Sequence, residues 1–277
     1  MHTHIAHWTS LSALFGSFWR HRRLILQMTK REVIGRYRGS ILGLAWSFFN
    51  PLIMLLIYTF VFSVVFKARW GSSSVQDSQA GFALILFAGM IIHGLFAECV
   101  NRAPGLILTN VNYVKKVIFP LEILPWIALG SALFHAAITL VALLLVQVII
   151  NQHIPWTALF FPLVLLPLLL TTMGFAWFFA ALGVFVRDIG QLTGVFTTVL
   201  MFLSPVFYPL AQLPAEYQGW LQLNPLTFII EEGRNTLLFS HLPDMLQWSY
   251  FLVTSLLIAW GGFAWFQKVR KGFADVL

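Results

Sequence analysis

Residues 28–66, MTKREVIGRYRGSILGLAWSFFNPLIMLLIYTFVFSVVF, run without a break from a basic segment into an apolar one. Lys30, Arg31, Arg36 and Arg38 precede roughly 25 uncharged residues, enough as a helix to cross a hydrocarbon core of about 30 Å. Lys and Arg beside a first span are held on the cytoplasmic side during insertion, so the N-terminus is predicted there. Upstream, Leu24, Ile25, Met28, Val33 and Ile34 recur near helical spacing against the cations. That is the pattern of a basic amphipathic helix lying in the headgroup layer, although a solvated juxtamembrane charge cluster fits the same residues. Gly35, Gly39 and Gly43 recur every four residues, as a stripe that admits a second helix closely or as a loosened bend into the membrane.

The whole chain agrees with a membrane setting. Of its 277 residues, 59% are hydrophobic and 10% charged, which excludes an ordinary soluble domain. The net charge of +7 clusters beside the apolar runs, so anionic lipid headgroups rather than nucleic acid are the expected partner. A single cysteine, Cys99, excludes an intrachain disulfide and a CxxC metal site. The first apolar run lies too far in for a cleaved signal and is expected to be retained. His2, His4 and His7 have chelate-like spacing but no further ligand nearby, and residues 1–19 read as a frayed terminus.

Taken in order, spans are predicted at about 42–66, 81–100, 121–150, 156–186, 191–208 and 248–266. A polar, Ser-rich loop at 67–79 is placed outside. Glu98 falls inside the second span, where a carboxylate is a functional candidate, but Arg102 four residues on offers an intrahelical ion pair. Residues 101–120 are too polar to span and too apolar for a plain loop, which suggests a short amphipathic helix presenting its tip to the cytoplasm. Pro162 and Pro167 predict kinks in the fourth span. Residues 210–247 stay apolar although external, so two short helices dipping back into the outer half of the membrane, broken at Asn224-Pro225, are expected there. This topology places 14 Lys/Arg on cytoplasmic segments and only Lys67, Arg69 and Arg234 outside, the bias insertion demands. The predicted fold is an all-α polytopic membrane protein with six transmembrane helices and both ends cytoplasmic.

Chemistry-bearing motifs are sparse. No GxxxxGK[ST] loop is present to cradle a nucleotide, and no nucleophile triad, HExxH or carboxylate cluster appears, so no catalytic residue, metal site or cofactor is assigned to this chain. Aromatic surface is abundant, with 27 Phe, 11 Trp and 6 Tyr. Aromatic faces either pack on the C–H faces of sugars or form interfacial belts against lipid.

Three stretches carry a family resemblance. Arg36-Tyr37, Ser40, Leu42-Gly43, Trp46 and Pro51-Leu52; Tyr113-Val114-Lys115-Lys116 with Phe119-Pro120-Leu121-Glu122; and Ser204-Pro205, Phe207-Tyr208-Pro209, Leu213-Pro214, Asn224-Pro225-Leu226 and Arg234 together resemble the membrane subunit of ABC-2 type polysaccharide exporters. The likeness is greatest to O-antigen permeases and extends to capsule and teichoic acid exporters. It implies a cytoplasmic tail and interface helix over 1–40 and a transmembrane domain over 41–277. It also implies a homodimer in the bacterial cytoplasmic (inner) membrane, two separate ABC ATPase chains that hold the ATP and Mg, and a lipid-linked polysaccharide as substrate. Asn110, Val111, Asn112, Tyr113, Val114, Lys115 and Lys116 would then form the ATPase-coupling helix, and Asn224, Pro225, Glu231 and Arg234 the external gate. Tyr58, Phe62, Phe202, Phe207 and Tyr208 become candidates for the channel wall. Arg31, Arg36, Tyr37 and Arg38 become candidates for a lipid diphosphate, or for bulk anionic headgroups. The alternatives are an ABC-2 permease for a drug or small lipid, and a membrane-embedded enzyme or assembly factor acting on lipid-linked sugars.

Overall fold

The computed structural model describes residues 10–65, 79–115, 119–222 and 224–277, and all regular structure among them is helical. The predicted outer loop at 67–79 and the three N-terminal histidines fall almost entirely outside the described residues.

The chain opens with α1 (Leu11–Tyr37), whose first turn is capped by Ser10, the side-chain oxygen accepting from Ala13 N. The helix therefore starts well inside the stretch expected to fray. Its inner face, Leu14, Ile25 and Val33, is buried, while Leu26 and Ile34 on the other side are exposed. This one-sided burial against the bundle matches an amphipathic helix lying across it. α1 stops at Tyr37, and the chain turns through Gly39 (φ 88°) and Gly43 (φ 51°), left-handed conformations that favour glycine. No neighbouring atom lies within 4 Å of a Cβ built at Gly35, Gly39 or Gly43, so among the described residues none of the three packs against a helix; Gly39 and Gly43 serve the bend, and Gly35 lies within α1.

After a 3₁₀ turn comes α2 (Trp46–Tyr58), which continues as a π-helical stretch over Thr59–Val65. α3 (Gln79–Arg102) is the central helix, with Phe82, Leu86, Ile92, Phe96, Cys99 and Val100 all buried. The short α4 (Gly105–Leu108) and α5 (Val111–Lys115) form an elbow before α6 (Leu124–Asn151). α7 (Phe161–Phe185) is one helix through Pro167. Then follow α8 (Ile189–Phe202), α9 (Ala215–Gln222), α10 (Pro225–Leu237), α11 (Met245–Val269) and α12 (Phe273–Val276).

Among the described residues, five helical stretches are long and apolar enough to cross a membrane: Gly43–Val61, Gly81–Arg102, Leu121–Asn151, Trp156–Phe185 and Met245–Val276. The segment expected to span at 191–208 is shorter as a helix. α8 has 14 residues, about 21 Å at 1.5 Å per residue, against a core of about 30 Å. Its helix ends three residues before Pro205, whose ring removes an amide and disfavours helix in the residue before it.

The tightest helix pair is α7 with α11. A Cβ on Gly262 would lie 2.0 Å from Gly174 O, so the two backbones touch directly. α10 packs between α3 and α7, buried along most of its length. Its C-terminal carbonyls, which have no partner within the helix, are taken up by neighbours: Gln147 Nε2 donates to Leu237 O at 3.0 Å and Thr157 Oγ1 to Thr236 O at 2.7 Å. At the opposite end of the bundle, Arg270 Nη1 donates to Glu122 Oε2 at 2.9 Å and Trp177 Nε1 to Glu122 O at 3.0 Å.

Candidate functional site

A lateral groove of about 300 Å³ lies between the end of α1, α2, α3 and α6, lined among others by Arg36, Tyr37, Asn50, Tyr58, Glu98 and His135. α1 supplies Arg36 and Tyr37 because its last turn reaches α3 and α6. Glu98 is held from three sides. Arg36 Nη1 donates to its Oε1 at 2.6 Å, His135 Nδ1 donates to Oε1 at 2.9 Å and Oε2 at 3.0 Å, and Arg102 Nη1 stands at 3.9 Å. The expected intrahelical pair is thus the weakest contact, because Arg102 turns its other nitrogen to Glu32 on α1. A carboxylate at membrane depth is stabilised by several donors together, and here they come from three helices.

His135 Nε2, buried and without a partner among the described residues, completes this cluster. Sequence reasoning passed over His135 and Glu32. An ionisable residue 11 positions into α6 was the available signal. Partial burial raises the Tyr37 phenol above its ordinary range, with Arg36 opposing, so at neutral pH it remains a hydroxyl donor at the mouth of the groove. Arg31 and Arg38 are exposed and make no ion pair among the described residues. Of the basic candidates, only Arg36 lies in the groove.

Four of the five aromatic candidates fall into one connected set. Tyr58 and Phe207 both pack against the same small cluster, Phe82, Ile85 and Leu86, near the start of α3. Phe202 and Phe207 lie 5.6 Å apart between ring centroids, and Tyr208 Oη donates to Phe202 O at 2.9 Å. The Phe62 side chain lies outside what is described.

The external candidates are joined through backbone. Asn224 caps α10 by accepting from Leu226 N at 3.0 Å, and its amide donates to Ser204 Oγ at 2.9 Å. Pro225 occupies the first turn, where its missing amide removes no bond. Arg234 is buried and donates to three carbonyls: Nε to Ile85 O at 2.9 Å, Nη2 to Val206 O at 2.7 Å, and Nη1 to Pro205 O. Gly89 leaves room for this guanidinium, since a Cβ there would meet Nη2 at 2.6 Å. Glu231 instead borders a separate cavity of about 760 Å³ between α10 and α11.

The elbow is surface-borne. Asn112 is exposed, Asn110, Val111, Tyr113 and Val114 are half-buried, and Tyr113 stacks on Phe119 at 4.4 Å. α5 rests against α12. Lys116 and the Lys115 side chain lie outside what is described.

Fold and site together define a polytopic membrane protein, all-helical among the described residues, with an ionisable cluster in a lateral groove between α1, α2, α3 and α6. The chain belongs to the ABC-2 type transporter family, whose profile matches residues 23–238. It is 26% identical over 264 residues to the O-antigen export system permease protein RfbA of Myxococcus xanthus, covering 95% of this chain and 98% of that one. The polysialic acid transport protein KpsM of Escherichia coli is 24% identical over 242 residues, covering 86% and 90%. The capsule polysaccharide export inner-membrane protein CtrC of Neisseria meningitidis serogroup B is 24% identical over 270 residues, covering 92% and 96%.

Proposed function

We propose that this chain is the channel-forming subunit of an ATP-driven exporter that moves a lipid-linked, O-antigen-like polysaccharide across the bacterial cytoplasmic membrane. The supporting observation is that relatives named for O-antigen, polysialic acid and capsule export align over nearly the whole length. With no nucleotide loop of its own, the chain takes its energy from two separate ABC ATPase chains engaging the α4–α5 elbow of a homodimer. In this reading α8 with residues 203–208 makes the sixth crossing, both termini are cytoplasmic, and α9 and α10 form the re-entrant gate. The lipid diphosphate engages at Arg36 and Tyr37, and the glycan passes the aromatic set at Tyr58, Phe202, Phe207 and Tyr208.

The test is alanine replacement of Asn112, Tyr113, Val114, Lys115 and Lys116 in the reconstituted complex. ATP hydrolysis is expected to persist while export falls at least about ten-fold, with the protein still inserted, as loss of one coupling contact set requires. Export at the unmodified rate would overturn the assignment of the elbow.

A further inference from the structure

The cavity of about 760 Å³ that Glu231 borders lies between α10 and the first turns of α11. Its size falls in the range of about 300–1,000 Å³ that holds small ligands. The path proposed for the glycan makes no use of it. Phe228 and Glu231 stand one turn apart on α10 and both line it. Phe228 is buried and stacks on Phe251 of α11, with ring centroids 4.4 Å apart and planes 5° from parallel. Tyr250 meets Phe251 edge-on at 5.7 Å and is 69% exposed, which leaves ring surface free at the mouth. The exposed Gln222, Gln247 and Ser249 complete a polar rim, which suits water or a polar ligand better than acyl chains.

Charge narrows the chemistry. The Glu231 carboxylate is half-buried, makes no hydrogen bond or ion pair among the described residues, and opens on the cavity instead of being sealed into the helix packing. Acceptors left without a donor there are unfavourable, so the cavity suits a ligand that brings one. Arg234 lies near enough to feel this charge, but its guanidinium donates to carbonyls of α3 and of the turn after α8. The charge is therefore partly balanced while the carboxylate oxygens stay open, which favours neutral hydroxyl donors over a second cation. No Lys, Arg or His lines the cavity among the described residues, so a phosphate has nothing to hold it. An aromatic wall, a carboxylate able to accept two hydroxyls and a flanking amide together match a sugar ring, whose C–H face is apolar and whose edge is all hydroxyl.

We propose that this cavity binds a neutral hexopyranose ring, its hydroxyls on Glu231 and Gln247 and its C–H face on Tyr250. Such binding stands or falls apart from the transport reading, because it concerns the free ring and not its passage. Saturation-transfer NMR on the full-length protein in phospholipid nanodiscs, free of glycosidic detergent, tests it with methyl β-glucoside and methyl α-mannoside as probes. At least one of the two is expected to receive saturation, and inorganic phosphate is expected not to displace it. Glu231→Gln is expected to weaken binding about ten-fold, the effect of losing a charged acceptor. Tyr250→Ala and Gln247→Ala, at exposed positions where folding is not at stake, are each expected to weaken it several-fold, which keeps the test decisive if Glu231→Gln fails to insert. Absence of transfer to both hexosides, or unchanged binding in both exposed variants, would overturn the proposal. Displacement of the bound hexoside by hexylammonium at equal concentration would also overturn it, assigning the cavity to cations.

Discussion

Arg234 and Glu98 are both ionisable groups placed among apolar helices, yet they are satisfied in different ways. Glu98 is surrounded by cationic and imidazole donors from α1, α3 and α6, so its charge is compensated by other charges. Arg234 has the Glu231 carboxylate near it on its own helix, and its guanidinium hydrogens go to dipoles, three backbone carbonyls drawn from α3 and from the turn after α8. That difference makes Arg234 a structural clasp between α10 and two neighbours, because the planar guanidinium fork reaches several carbonyls in fixed directions at once. Replacement by Met keeps the apolar stem and removes every donor, leaving buried carbonyls without this partner. The expected loss is on the order of 3 kcal/mol, from the range for a hydrogen bond to a charged group plus unsatisfied acceptors. Arg234→Lys is expected to recover part of it, since one ammonium cannot serve both elements. Thermal unfolding of the purified protein in detergent reads both variants, and a midpoint equal to wild type in Arg234→Met would show that the carbonyls find other donors.

Among the elements, α7 and α11 show how a bundle without a water-driven hydrophobic collapse is held: by close backbone approach at small residues. Gly262 and Gly174 face each other, and a methyl at Gly262 would lie 2.0 Å from Gly174 O. Backbone cannot yield as a side chain can, so Gly262→Ala is expected to destabilise by about 3 kcal/mol or more. The adjacent Gly261 has nothing within 4 Å of its built Cβ, so Gly261→Ala is expected to be neutral or slightly stabilising, as Ala is in a helix interior. Yield of monodisperse protein and the melting midpoint compare the pair, and equal loss in both variants would refute packing as the cause.

The spans themselves were legible in the sequence because their signal is bulk apolar length. Expected limits of 81–100, 121–150 and 156–186 compare with helices at Gly81–Arg102, Leu121–Asn151 and Trp156–Phe185. The break at Asn224-Pro225 was legible from turn chemistry, and α10 begins there with Asn224 as its cap. α8 ran short of its expected length because hydropathy continues through Leu203 and Val206 while Pro205 ends the hydrogen-bond ladder. The partners of Glu98 were illegible because they lie 62 and 37 residues away, where only tertiary packing of α1 and α6 on α3 brings Arg36 and His135 together.

For the whole molecule, the exposed faces differ in kind from helix to helix. On α8, Leu192, Val195, Val199 and Phe202 are all exposed and recur at spacings of three and four, forming one continuous apolar stripe. α11 also exposes Val253, Leu257 and Trp260. A full-length span such as α11 can present such a face to acyl chains, since its 25 residues satisfy their own backbone through the core. α8 has 14 residues and ends in a turn whose polar backbone needs shelter, so its stripe is better covered by protein than by lipid. Under the proposed homodimer, a second copy of α8 across a two-fold axis provides that cover and places Phe202 of both copies beside the path. Oxidative cross-linking in membranes distinguishes the two faces, and it needs no cysteine-free background because Cys99 is fully buried. Val195→Cys is expected to give a disulfide-linked dimer at several times the yield of Leu257→Cys, since a disulfide forms only where the two Cα atoms approach within about 7 Å. Equal yields would place α8 against lipid and leave its short helix to be sheltered by the α9 and α10 segment of its own chain.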